Sequence, residues 1–120
     1  LIRALSQMFR LGQSAESHVA AFLQRHGLKL LTRNWGGRFG EIDLVMQDRV
    51  TLAFIEVRLR SRSDFAGAAA SATPANQKML AAARQYLTTL NTLPPCRFDV
   101  VALNGNAPPG WIKNAFDDVG

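Results

Sequence analysis

Glu41, Asp43, Glu56 and Arg58 stand inside two otherwise apolar runs, Gly40-Glu41-Ile42-Asp43-Leu44-Val45-Met46 and Leu52-Ala53-Phe54-Ile55-Glu56-Val57-Arg58. Val, Ile, Leu and Phe mark both runs as strands. An ionised carboxylate in such a strand is costly unless it is paired, hydrogen-bonded or bound to a metal. The set suits attack of water on a phosphodiester, whose phosphate is charged and poorly electrophilic. A divalent cation polarises the phosphate and lowers the pKa of bound water. Mg²⁺ takes one or two carboxylates plus waters and phosphate oxygens. Asp43 and Glu56 on neighbouring strands fit that requirement for Mg²⁺ (or Mn²⁺), and the backbone carbonyl of Val57 can add a further ligand. Arg58 beside them can hold the phosphate and stabilise developing charge.

The elements that must position these groups follow from pattern. The short link Gln47-Asp48-Arg49-Val50 makes the two runs an antiparallel hairpin. A turn centred between Asp48 and Arg49 puts Asp43 opposite Phe54 and Glu41 opposite Glu56. With a side-chain period of two, Glu41, Asp43, Phe54, Glu56 and Arg58 share one face. Ile42, Leu44, Ile55 and Val57 then point the other way, into a core. Upstream, residues 13–26 form a helix with Ser14 near its start and Gly27 as its stop. Ala15, Val19, Phe22 and Leu23 are its buried stripe. Glu16 flanks that stripe and can lean toward the sheet, to complete the carboxylate set or position a water.

Leu28 to Trp35 reads as a first strand, followed by a turn at Gly36-Gly37. After the hairpin comes a loop over 61–73, rich in Ser, Ala and Gly. Thr73-Pro74 opens a second helix, with Thr as N-cap and Pro in the first turn. Leu80, Ala83, Leu87 and Leu90 form its buried face. Arg97 to Leu103 is a fourth strand, and Trp111 to Phe116 a weaker last one. The order α-β-β-β-α-β describes an α/β fold, a mixed central sheet flanked by helices with a hairpin and a helical crossover.

A chain of 120 residues is one domain by length, large enough for a real core. No apolar run approaches the ~20 residues of a membrane span, and the first residues lack the apolar segment of a signal peptide. Cys96 is the single cysteine, which excludes an internal disulfide and a cysteine-based zinc site. A cytoplasmic address without membrane contact is expected. The net charge of +5 understates the basicity of the surface: with Glu16, Asp43 and Glu56 held by a cation, 14 positive charges face 6 negative ones. Arg38, Arg60, Arg62 and Lys78 are among these basic residues, and nucleic acid is the natural partner.

The progression Glu16, Asp43, Glu56-Val57-Arg58 on a helix, a strand and the next strand resembles the signature of PD-(D/E)XK nucleases. More closely, the chain resembles the YraN-like family of small bacterial predicted endonucleases, which is similar to archaeal Holliday junction resolvases. The matching segments are Gly12-Gln13-Ser14-Ala15-Glu16, Asn34-Trp35, Gly40 to Val45, Phe54 to Arg58, Lys78, Ala83 to Leu87 and Arg97 to Val101. They span about residues 12–103, leaving 104–120 as a C-terminal extension of the single domain. The resemblance implies a restriction-endonuclease-like core with Glu16, Asp43 and Glu56 in metal-ligand positions. It also implies branched or otherwise structured DNA as substrate, and a homodimer wherever two strands of a junction must be cut. The departure is Arg58, where the superfamily usually has lysine. Arginine stays protonated and cannot act as a general base, but it can grip phosphate bidentately.

Rival readings come from the same residues. Asp43, Glu56 and Arg58 can form a cross-strand ion pair contributing ~0.2–1 kcal/mol, and such networks mimic sites. Asp99 shares a face with Arg97 and is expected to pair with it. Trp35 and Trp111 read as core, and Glu41 as a flanking residue. Three function classes remain: a metal-dependent, structure-selective endonuclease, a nucleic-acid-binding domain that does not cut, and an assembly protein with a fossil site.

Overall fold

The computed structural model describes residues 2–38, 40–59, 74–105 and 107–116, with side chains at 14–38, 40–59, 76–105 and 107–116. The elements are α1 (Ile2–Arg25), β1 (Lys29–Gly37), β2 (Gly40–Asp48), β3 (Thr51–Leu59), α2 (Pro74–Leu87), β4 (Cys96–Leu103) and β5 (Gly110–Phe116). The strands form one mixed sheet in the order β1-β2-β3-β4-β5. Only β3 and β4 run parallel, as a connection through α2 requires, and the other neighbours are antiparallel. This α/β architecture is compatible with a restriction-endonuclease-like core. No helix among the described residues is long and apolar enough to cross a membrane.

α1 starts at Ile2, well before the expected residue 13. Residues 2–11 contain no proline and several strong helix formers, and Gly12 inside the helix costs only ~1 kcal/mol. The helix stops as expected. Gly27 has φ +94, its N–H donates to the Gln24 carbonyl at 3.0 Å, and the Leu28 N–H donates to the Leu23 carbonyl at 3.1 Å. That is the Schellman pattern, closed by Leu23 and Leu28 packing in one cluster.

Two apolar layers sandwich the sheet. On the α1 side, Val19, Ala20 and Leu23 pack on Leu44, Met46, Ala53, Ile55 and Val101. On the α2 side, Met79, Leu80, Ala82 and Ala83 pack on Ile42, Val45, Leu52, Phe54 and Phe98. Rings extend the second layer: Trp35 meets Tyr86 at 5.3 Å, Tyr86 meets Phe54 at 5.8 Å, and Phe98 stacks between Phe54 and Phe116. Both tryptophans pack against these layers, as their core reading expected. The N-cap assigned to Thr73 and the 61–73 loop lie outside the described residues.

The hairpin register differs from expectation by two residues. Val45, not Asp43, lies opposite Phe54, and Asp48 pairs with Thr51 around Arg49-Val50. Arg49 adopts φ +59, which moves the turn one residue onward. A shift of two preserves which face each side chain takes. The real departure is local. Ile42 joins the α2 layer while Leu44 joins the α1 layer, so alternation breaks at Asp43. β1 breaks at the same level, where Asn34 has φ +50 between the paired Arg33↔Leu44 and Trp35↔Ile42.

The opposite end of the sheet is held by a buried acid. Asp99, fully buried, accepts hydrogen bonds from Arg97 Nε at 3.0 Å, Trp111 Nε1 at 3.1 Å and the Asn114 N–H at 2.9 Å. Arg97 Nη1 donates to Asp48 at 2.8 Å, tying the hairpin to β4. The expected Arg97–Asp99 pair is therefore present, with β5 attached to it.

Asp99→Ala should cost about 3–5 kcal/mol in urea unfolding, because Arg97 loses a buried partner. Gly40→Ala should also destabilise, by roughly 2 kcal/mol. Gly40 has φ +147, and an added Cβ would lie 2.5 Å from the Lys78 carbonyl oxygen.

Candidate active site where the second and third strands part

β2 and β3 pair only as far as Leu44↔Ile55. One step beyond, the Val57 N–H donates to Asp43 Oδ2 at 2.8 Å. A side chain there takes the place of a backbone carbonyl, and the strands separate around it. In an extended strand the N–H and C=O of one residue face the same edge, so the Val57 carbonyl also looks toward Asp43.

The charges do not share one face, as strict alternation predicted. Glu16 reaches Asp43 from α1, close enough for a hydrogen bond between the two carboxyl groups. Asn34 also hydrogen-bonds Glu16, and Arg33 Nη2 lies 3.8 Å from Glu16 Oε1. Arg58 turns toward α2 instead. Its Nη2 donates to Glu56 Oε2 at 2.7 Å and to Asn76 Oδ1 at 3.1 Å. The break at Asn34 and Asp43 explains the difference: it turns the first acid toward α1 while β3 keeps regular alternation.

Burial pushes the Asp43 carboxyl up to about 7 from an ordinary 3.8. The Val57 N–H opposes that rise, while Glu16, Glu56 and Glu41 add to it by repulsion. Burial also raises Glu16, against the pull of Asn34 and Arg33. Three buried polar atoms lack a hydrogen bond among the described residues: Glu16 Oε1 and Arg58 Nη1 here, and Arg97 Nη2 in the Asp99 network at the other end of the sheet. The site is short of positive charge on its α1 side, and a hard cation would supply it.

No three His, Cys, Asp or Glu side chains form a preformed cage among the described residues. Glu16, Asp43 and Glu56 are thus not brought together as one three-carboxylate set; Mg²⁺ can take as few as one or two carboxylates and complete its shell with water and phosphate oxygens. Asp43 and Glu16, with the Val57 carbonyl, are the oxygen donors on the α1 side. Glu56 stands across the gap, with Oε2 committed to Arg58.

Of the expected phosphate-contacting residues, Arg38 is exposed beside the β1–β2 turn and Lys78 is exposed on α2. The close approach of Gly40 to the Lys78 backbone brings the two to one side of the site. Arg60 and Arg62 lie outside the described residues. Glu41 is exposed and flanks the acids, as read from sequence. Sequence reasoning missed Asn76, which is fully buried and anchors Arg58. The signal was there: Asn76 falls on the buried stripe continued by Leu80, Ala83 and Leu87, a polar residue where an apolar one belongs. Asn34 carried no comparable mark beyond the tolerance of Asn for positive φ.

A carboxyl with a raised folded-state pKa binds its proton more tightly in the folded protein. The linked stability is complete below about pH 4 and is lost as pH rises through about 7. Metal-free protein should therefore lose stability over that window relative to Asp43→Asn, by an amount on the order of 2–4 kcal/mol. Urea melts of both proteins across the window measure the difference.

The sequence matches the model of an uncharacterised protein family, UPF0102, over residues 15–103. A UPF0102 protein of Nitrosomonas eutropha is 51% identical, the match covering 89% of this chain and 93% of the relative. One from Nitrosospira multiformis is 50% identical over 88% and 92% of the two chains. One from Cupriavidus pinatubonensis is 55% identical over 88% and 84%. Both the family match and these identities cover the helix and strands that build the site, and the chain belongs to the uncharacterised family UPF0102, the YraN-like family of its sequence resemblance.

Proposed function

We propose that the protein is a metal-dependent, structure-selective DNA endonuclease, acting at branched DNA of the Holliday-junction kind. One observation carries the reading: two half-buried carboxylates from different elements, Glu16 and Asp43, meet where the sheet opens, with an arginine that has an unmet donor on the α2 side. What separates this cluster from the structural Arg97–Asp99 network is that its carboxylates repel one another, with Glu16, Glu56 and Glu41 all acting on Asp43.

Asp43, Glu16 and the Val57 carbonyl would hold Mg²⁺ or Mn²⁺, with Glu56 on the opposing strand. When bound, such an ion polarises the phosphate and generates the attacking nucleophile from water at neutral pH. Asp43 is fixed in place by the Val57 N–H, so its second oxygen is the one presented to the ion. Glu16 can accept a proton from water on the α1 side. Arg58 holds the charge that builds on the phosphate, and as a permanent cation it takes no part in proton transfer. Arg38 and Lys78 would contact the flanking backbone. Nothing among the described residues resembles a base-reading helix with its own scaffold, which favours recognition of DNA shape. Cutting both strands of a junction would need two copies of the site, hence a homodimer.

A second reading is favoured by the tight Arg58–Glu56 contact at 2.7 Å. A nucleic-acid-binding domain on the same fold would bind with salt-sensitive affinity and cut nothing.

A labelled four-way junction incubated with protein in Mg²⁺ or Mn²⁺ separates the readings. Cleavage is expected, reduced at least ~100-fold by Asp43→Ala or Glu56→Ala. Equal cleavage by these variants would remove the site assignment. Binding without cleavage would establish the second reading. Faster cleavage by Arg58→Lys would show that the arginine had limited turnover.

A further inference from the structure

A free guanidinium grips a phosphate with two parallel N–H donors, and that fork is what distinguishes arginine from lysine. Arg58 is not free to do so. Both protons of Nη2 have takers, Glu56 Oε2 at 2.7 Å and Asn76 Oδ1 at 3.1 Å. The end-on fork through Nη1 and Nη2 is therefore closed, which corrects the bidentate grip expected from sequence. Nη1 is left buried and without a hydrogen bond among the described residues. An unmet buried donor costs about 1–3 kcal/mol, more when charged; Arg97 Nη2 is in the same state, but Arg58 Nη1 alone of the two lies at the candidate site.

We propose that Asn76 is a positioning residue for Arg58: by taking one Nη2 proton while Glu56 takes the other, it converts the guanidinium into a single-point donor that offers Nη1 to one phosphate oxygen. The chemical result is close to that of a lysine, a fixed cation with one contact. An arginine thereby fills a position where the resembled nucleases carry an amine. Asn76 suits the task because its carbonyl accepts a hydrogen bond without adding charge. An acid there would put a second anion beside Glu56 and neutralise the cation that must face phosphate. Its place in the first turns of α2, fully buried, makes it a rigid anchor.

The phosphate part of this inference rests on the proposed function, and the anchoring part does not. Two measurements separate them. In the ¹⁵N-labelled full chain without DNA, the Arg58 guanidinium should show slowed rotation and separate Nη resonances. Asn76→Ala should average them, and Asn76→Asp, which keeps the acceptor, should restore slow rotation. Free rotation in the parent protein would overturn the anchoring.

In binding to a four-way junction without divalent metal, Asn76→Ala should weaken affinity about tenfold, the equivalent of ~1.4 kcal/mol. The same change in an Arg58→Ala background should have no further effect. An equal loss in both backgrounds would make Asn76 a merely structural residue and sink the proposal. A parent protein that binds no junction would remove the phosphate role together with the function it rests on, while the resonances still decide the anchoring.

Discussion

The hydrogen bond from the Val57 N–H to Asp43 Oδ2, 2.8 Å long, is the contact around which the candidate-site end of this sheet is organised. Two antiparallel strands normally satisfy each other with backbone groups alone. Substituting a carboxylate for one carbonyl ends the ladder and fixes an acid in a half-buried gap. It also turns the neighbouring backbone carbonyl toward that gap. The groups around that acid crowd it with further charge rather than neutralise it. Glu16 and Asn34 approach from one side, the pair of Glu56 and Arg58 from the other, and burial leaves the acid poised to hold a proton near neutrality.

The two ends of the sheet treat buried charge in opposite ways. At the closed end Asp99 has three kinds of donor, from Arg97, Trp111 and the Asn114 backbone, and Arg97 is shared with Asp48. Its charge is consumed in attaching β5 and the hairpin to β4. At the open end the carboxylates repel one another and Glu16 Oε1 has no hydrogen bond among the described residues. The same residue types thus serve attachment in one place and leave mutual repulsion in the other. The difference lies in how many donors reach each acid.

Much of this was legible in sequence because burial and charge conflict visibly there. Acids within Gly40 to Met46 and Leu52 to Arg58 marked the strands and the site together, and the helix stop at Gly27 was readable from one residue. The register escaped because turn chemistry around Arg49 is ambiguous: no Gly or Asn marks the left-handed residue. The departure of Ile42 from the Leu44 face escaped for a deeper reason. Alternation arguments assume an unbroken strand, and the break at Asn34 and Asp43 is created by contact between elements. Asn76 needed a reading in which a polar residue on a buried stripe is taken as an anchor.

The outer strands have a consequence for self-association. β1 carries a register slip between Leu30 and Thr32 and a left-handed Asn34, while β5 carries a left-handed Asn114 opposite a slip in β4. Neither margin of the sheet offers a flat row of amides and carbonyls onto which another strand could zip. The distortion that shapes the acidic gap thus also blunts one border of the molecule against runaway strand addition, and a second copy would have to dock through side chains instead of extending the sheet.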